Sequence, residues 1–153
     1  MLPVCFLEGM VLNKVIMFFL LLVSAGSYAS ENIEDVNKSI VTSFYTEVLL
    51  GRDSEAIDKY IGDKYIQHNP LIPNGKKALK SFIDGSPSAT PGEIVRVLAD
   101  GDLVALHVKR FSKGGRNNRV IVDIFRVEDS MIVEHWDVIQ AIPEHSINGN
   151  SMF

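Results

Sequence analysis

Two short segments place ionisable side chains where apolar ones belong. His135-Trp136-Asp137 sits inside the apolar run of residues 131–141, and Asp123 interrupts Val120-Ile121-Val122-Asp123-Ile124-Phe125. Strand interiors are poor in Asp, and a buried carboxyl is costly unless it is bonded. Side chains alternate along a strand. His135 and Asp137 therefore share one face with Val133 and Ile139, while Trp136 shares the other with Glu134 and Val138. A three-residue turn at Glu128-Asp129-Ser130 puts Asp123 and Asp137 on the same face; a one-residue slip would separate them. That face also carries Ile121, Phe125 and Val127, so it reads as the covered one. Two Asp and a His on an apolar concave face make a polar island in a greasy cavity, the signature of a small-molecule site.

Desolvation raises a carboxyl's pKa toward the range useful for acid/base work. A carboxylate beside a His can take a proton next to a carbonyl while a donor holds the developing enolate. The bland alternative is an Asp–His hydrogen bond that merely satisfies both groups. His68, in Tyr65-Ile66-Gln67-His68-Asn69-Pro70, either closes one end of the pocket or belongs to a polar turn. His107 alternates with Leu103 and Ala105; it points inward or is a structural histidine. Tyr65, His107, Phe125 and Trp136 are the candidates for the pocket lining. His68, His135 and Asp137 are weak as a metal set, because one short H-x-D pair has no second spaced motif behind it. No metal and no cofactor are expected. The chain has no phosphate-binding glycine loop, dinucleotide fingerprint or serine elbow.

The elements that must position these residues are readable from periodicity. Ile33, Val36, Ile40, Val41, Phe44, Val48 and Leu49 predict a helix over residues 33–50, with Gly51 at its C-cap. Asp53 is placed to cap a short second helix ending near Tyr60. Residues 65–70 read as extended, since Pro70 keeps Asn69 out of the helical region. Asn74 is placed to cap a third helix over residues 75–84. Strands follow at 93–99, 103–112, 119–127 and 131–141, joined by short turns into an antiparallel meander. Helices first and strands afterwards give an α+β fold with helices packed on one sheet face.

The chain has 153 residues, 46% hydrophobic and 22% charged, with a net charge of −4. Its N-terminus inflates the apolar share. Lys14, the apolar run of residues 15–23 and the small residues around Ala29 read as a signal peptide over residues 1–29. The run is too short to span a bilayer. The mature domain is then 30–153, periplasmic or secreted, and free of the membrane after cleavage. The one cysteine, Cys5, lies in the removed part, so packing alone must stabilise the domain. Scattered charge with no basic stripe argues against nucleic acid; Lys109-Arg110 with Arg116 and Arg119 reads as a solvated hairpin end. The tail of residues 142–153 is Asn- and Ser-rich, ends Met152-Phe153, and either docks on the body or frays.

Three blocks in order carry a resemblance: Tyr65-Ile66-Gln67-His68-Asn69-Pro70 with Gly75, Val122-Asp123-Ile124-Phe125-Arg126-Val127, and residues 132–140 around His135-Trp136-Asp137. Together they resemble SnoaL-like proteins of the nuclear transport factor 2-like superfamily. The resemblance implies a cone-shaped, strongly curved antiparallel sheet of about four main strands wrapped around three N-terminal helices. It also implies a deep pocket, dimerisation through the outer sheet face, and aldol chemistry without metal or cofactor. By position, Asp137 takes the acid/base role, Asp123 is its neighbour, and His68 and His135 support orientation or the enolate oxygen.

Three functions follow as alternatives. The first is a cofactor-free lyase, isomerase or cyclase acting on a small apolar carbonyl compound. The second is an exported pocket that binds a small apolar or aromatic molecule without catalysis. The third is a homodimeric interaction domain whose pocket is filled by core side chains or by the tail.

Overall fold

The computed structural model describes residues 32–85, 89, 91–112 and 118–153. The expected signal peptide, residues 1–29, lies outside the described residues. Helix α1 spans Ile33–Phe44. Asn32 caps it, its side chain accepting from the Glu34 N–H at 3.2 Å. The helix continues without a break as a π-helical segment, Tyr45–Leu50. Thr42 and Thr46 hydroxyls donate to carbonyls one turn back, at 2.7 and 2.8 Å, a bonding pattern that bends helices. The widened turn ends at Gly51, whose N–H reaches Thr46 O at 2.8 Å. A Cβ on Gly51 would lie 2.6 Å from Glu47 O, so only glycine fits. Arg52 follows with φ 62°, a left-handed conformation that costs a side-chain-bearing residue about 1 kcal/mol.

Asp53 does cap the next turn, its carboxylate accepting from the Glu55 and Ala56 N–H groups at 3.0 and 3.2 Å. Helix α2 is Ile57–Tyr60, and strand β1 is Ile61–Gln67. Helix α3, Lys76–Asp84, starts at Gly75 with no side-chain cap. Asn74, expected as that cap, instead accepts the Gln67 N–H at 2.7 Å, and the Gly75 N–H bonds Tyr65 O at 2.9 Å. The loop is thereby tied to the end of β1. Strands β2 (Gly92–Asp100), β3 (Leu103–Arg110), β4 (Arg119–Glu128) and β5 (Met131–Ala141) complete the sheet.

The sheet is curled, unclosed and has five strands in the order β1-β5-β4-β3-β2. The α+β class holds, with two corrections. A fifth strand precedes α3, and it pairs with β5 in parallel, not antiparallel. Gly62-Asp63-Lys64 breaks the apolar alternation of β1, and the pairing shifts register between Ile61 and Ile66. An interrupted edge strand of this kind leaves a weak pattern in sequence.

The core lies between the sheet and the helices. Val41, Phe44, Tyr45 and Val48 from the first helix meet Val104, Leu106, Val108 and Phe125 from β3 and β4. Phe125 is the hub: Phe44 and Tyr45 meet its ring edge-on at 5.7 and 6.5 Å, and His135 stacks on it at 4.7 Å. One clasp fixes the helix to the far hairpin. Gly101, φ 60°, turns β2 into β3. Its N–H donates to Glu34 Oε1 at 3.1 Å, and its carbonyl accepts from Asn37 Nδ2 at 3.0 Å. Glu34 and Asn37 are three apart, on one helix face.

The β4–β5 hairpin closes through a two-residue turn, Asp129-Ser130, with φ 50° and 61°. The three-residue turn expected from sequence is thus corrected; the absence of glycine hid a turn type that favours Asn-Gly. Glu128 pairs with Met131 and Val127 with Ile132, but Arg126 pairs with Glu134. Val133 is the extra residue of a bulge.

Asn37 is buried, with only 3% of its surface exposed. Removing its amide strands the Gly101 carbonyl. Asn37→Ala is expected to lower stability by about 1–3 kcal/mol, read from urea unfolding; an unchanged midpoint would show that the clasp is dispensable.

Candidate active site

A cavity of about 340 Å³ opens between the helices and the inner sheet face. Five of the expected residues line it: Asp123, His135, Asp137, Phe125 and Tyr65. The bulge at Val133 carries the register past Asp123, which therefore pairs with Asp137 directly across the strands. Asp123 and His135 are buried, at 4% and 5% exposure, and Asp137 is half-buried. The three offer ligand-type atoms within 4.8 Å of one another.

Hydrogen bonds fix the orientation of the group. The Leu71 N–H donates to Asn69 Oδ1 at 2.9 Å. That leaves Asn69 Nδ2 to donate to Asp137 Oδ2, at 2.5 Å. The Asn69 N–H donates to Gln67 Oε1 at 2.9 Å, which identifies that atom as the oxygen. His135 Nδ1, 2.8 Å from the same oxygen, must then carry a proton. Its Nε2 lies 3.0 Å from Asp123 Oδ1. Both imidazole nitrogens face acceptors, so one proton is shared between His135 Nε2 and Asp123. The other oxygen, Asp123 Oδ2, is buried without a hydrogen-bond partner among the described residues.

Two tyrosines border this island. Burial holds the Tyr45 hydroxyl far above the usual tyrosine range, and the Asp123 charge acts in the same direction. Tyr65 is raised likewise, by burial first and then by Asp123 and Asp137. Gln67 Nε2 lies 3.5 Å from the Tyr65 oxygen. Tyr65 lines the cavity, and its hydroxyl donates to no group among the described residues.

Three expected residues lie elsewhere. His68 alternates away from Tyr65, Gln67 and Asn69, and lies on the outer sheet face. It stacks on Trp136 at 4.8 Å with an interplanar angle of 5°, and its Nε2 meets Glu134 Oε1 at 2.8 Å. That hydrogen bond, with a second from Arg126 at 2.9 Å, holds the Glu134 carboxyl below its ordinary range. Trp136 is therefore an outer-face residue and not a pocket wall. His107 is also on the outer face. Its Nδ1 is 2.9 Å from an Arg96 guanidinium nitrogen, and its ring stacks on Phe153 at 5.4 Å. The tail thus docks, but on the outside, and neither core side chains nor the tail fill the cavity.

Sequence reasoning missed Gln67 and Asn69. Alternation from Tyr65 was the signal that could have found them, since it selects 67 and 69 and rejects 68. It also missed Tyr45, Arg52, Arg110 and Arg119, which line the same cavity. Arg110 and Arg119 had read as part of a solvated hairpin end. The metal set drawn from His68 is not assembled. The set that is assembled would need His135 Nε2 to give up Asp123 before it could ligate an ion.

The SnoaL-like domain model matches residues 41–135. No curated protein matches this chain in sequence. Among solved structures, an NTF-2 like protein of unknown function from Burkholderia xenovorans is 14% identical with a TM-score of 0.66, covering 78% of this chain and 97% of its own. A protein assigned as a ketosteroid isomerase from Kribbella flavida is 19% identical with a TM-score of 0.63, covering 74% and 84%. An LEH-like epoxide hydrolase from M. tuberculosis is 18% identical with a TM-score of 0.61, covering 71% and 86%. At these identities the likeness carries the fold alone. The family match spans more than half of the length, and the chain belongs to the SnoaL-like family, within the nuclear transport factor 2-like superfamily.

Proposed function

We propose that this protein is a cofactor-free acid/base catalyst of the aldol, lyase or isomerase type, acting on a small apolar carbonyl compound. One observation carries the reading. Asp137, held by Asn69, faces the cavity beside the buried Asp123–His135 pair. Asp137 takes the proton from the carbon next to the carbonyl. Tyr65 donates to the developing enolate oxygen, a role that the sequence had given to the histidines. The Asp123–His135 pair holds a proton nearby and fixes the Gln67 side chain between them and Asn69. Apolar walls from Leu49, Ile72, Leu79 and Phe125 exclude water, which strengthens each of these interactions. The isomerase assignment of one structural neighbour and the hydrolase name of another support a pocket of this fold doing chemistry.

We also propose that the protein is exported and works as a homodimer. The outer sheet face exposes Leu98 and Val138, at 65% and 70%, with Leu103 and Val122 beside them. An apolar patch on a face that carries no site residue suits self-association.

The direct test is proton exchange on 2-tetralone in D2O, followed by NMR. The wild-type protein is expected to speed exchange, Asp137→Asn to lose about 10²–10⁴-fold, and Tyr65→Phe about 10²-fold. Because Tyr65 is held above its ordinary value of 10.0, the rate should not fall as pH rises through that value. Equal rates with and without Asp137 would sink the catalytic reading, and a decline near pH 10 would remove Tyr65 as donor. For export and assembly, the full chain is made in a bacterial host. It is expected in the periplasm, starting at Ser30 and eluting as a dimer by light scattering. Val138→Glu should give a monomer. Retention in the cytoplasm, or a monomeric wild type, would overturn the respective proposal.

A further inference from the structure

Away from the acid/base island, the same cavity is lined by Arg52, Arg110 and Arg119. None of these lies within ion-pair distance of a carboxylate among the described residues. The sequence between Arg110 and Asp123 contains no acid at all, only further cations. Arg110 and Arg119 pair directly across β3 and β4, where like charges oppose each other. Gly92 leaves room for this: a Cβ there would stand 2.7 Å from Leu50 and 3.0 Å from the Arg110 side chain.

Arg52 is the most telling of the three. It occupies the left-handed position after a helix, the place where glycine is usual. Strain kept at such a position points to a role for the side chain. The guanidinium lies over the Phe82 ring at 5.5 Å, and its Nε is buried with no acceptor among the described residues. Burial and the neighbouring Arg110 charge press its pKa downward. A guanidinium does not escape that pressure by losing its proton. The protein therefore holds a buried donor nitrogen without an acceptor among the described residues, on a strained residue, beside a like charge. Tyr45 feels both Asp123 and Arg110, so the two ends of the cavity flank one tyrosine ring.

We propose that the cavity binds a compound that carries a carboxylate, held by Arg52 and Arg110 with Arg119 at their side, while its carbonyl carbon faces Asp137. This rests on the reading of the cavity as a substrate site, and narrows the substrate to an apolar carbonyl compound with an anionic end. A carboxylate accepts two parallel hydrogen bonds from one guanidinium fork. It would give the Arg52 guanidinium, which lines the cavity, an acceptor and relieve the repulsion between the cations.

The probes are 2-naphthoate and its neutral isostere 2-naphthamide, titrated into the full-length protein by calorimetry. Naphthoate is expected to bind at least about 10-fold more tightly, a difference of about 1.4 kcal/mol, and to weaken with added salt. Arg52→Gly and Arg110→Gln should each bring the ratio close to one without weakening naphthamide. Arg52→Gly keeps the fold in particular, because glycine accepts the left-handed backbone, so its melting temperature should be equal or higher. Asp137→Asn removes a negative charge from the same cavity, so it should keep or raise the ratio while exchange is lost, which separates this proposal from the catalytic one. Naphthoate preference with no tetralone exchange would sink the catalysis and keep the anion site. Equal affinities, no naphthoate binding at millimolar concentration, or a preference that survives in the double variant would overturn the anion site, whatever the exchange rates.

Discussion

The register of one hairpin decides what this cavity contains. A two-residue turn alone would set Asp123 opposite Trp136, and Asp137 one step further out. The extra residue at Val133 corrects this by one position and sets Asp123 opposite Asp137. Side-chain period in a strand is two, so a shift of one exchanges faces. Without the bulge, the half of β5 beyond it would turn Trp136 inward and His135 and Asp137 outward. The hydrogen-bond network, the stacking of His135 on Phe125 and the outer pairing of His68 with Trp136 all presuppose that single irregularity.

Within that frame, backbone groups dictate the chemistry of the side chains. The Leu71 and Asn69 amides can only donate, and their direction fixes two carboxamides in turn. Those carboxamides settle which atom of Asp137 is held and which nitrogen of His135 bears hydrogen. The loop that supplies them is anchored at Tyr65 and Gln67 by Gly75 and Asn74. A polar turn that looks incidental in the sequence is thus the support of the site.

The sequence revealed long, strongly patterned elements well. The first helix, the third helix and the four meander strands stood out by their apolar spacing, as did Asp123, His135 and Asp137 by violating it. The rest was hidden for physical reasons. Strand β1 is short, interrupted by Gly62-Asp63-Lys64, and paired with a strand some 70 residues away, so no local pattern marks it. That Asp123 and Asp137 share a face was expected, but from a turn that the chain does not make. His68 drew attention because histidine is reactive, whereas alternation gave the cavity to its neighbours. Arg110 and Arg119 flank a turn, where cations normally meet water. Only the curl of the sheet and the seat of Arg52 on the helix end bring them to a common space.

The parallel contact between β1 and β5 has a consequence for how the site comes into being. Asn69 and Asp137, and likewise Gln67 and His135, stand 68 residues apart in sequence. Contacts of such separation form late, because the loop they close is costly to order. A growing chain that has made the helices and the first three strands holds neither the base nor its partners in place. The reactive cluster is complete only with the last strand seated between β1 and β4, so a chain that lacks that strand keeps much of the cavity's apolar wall and none of its assembled chemistry.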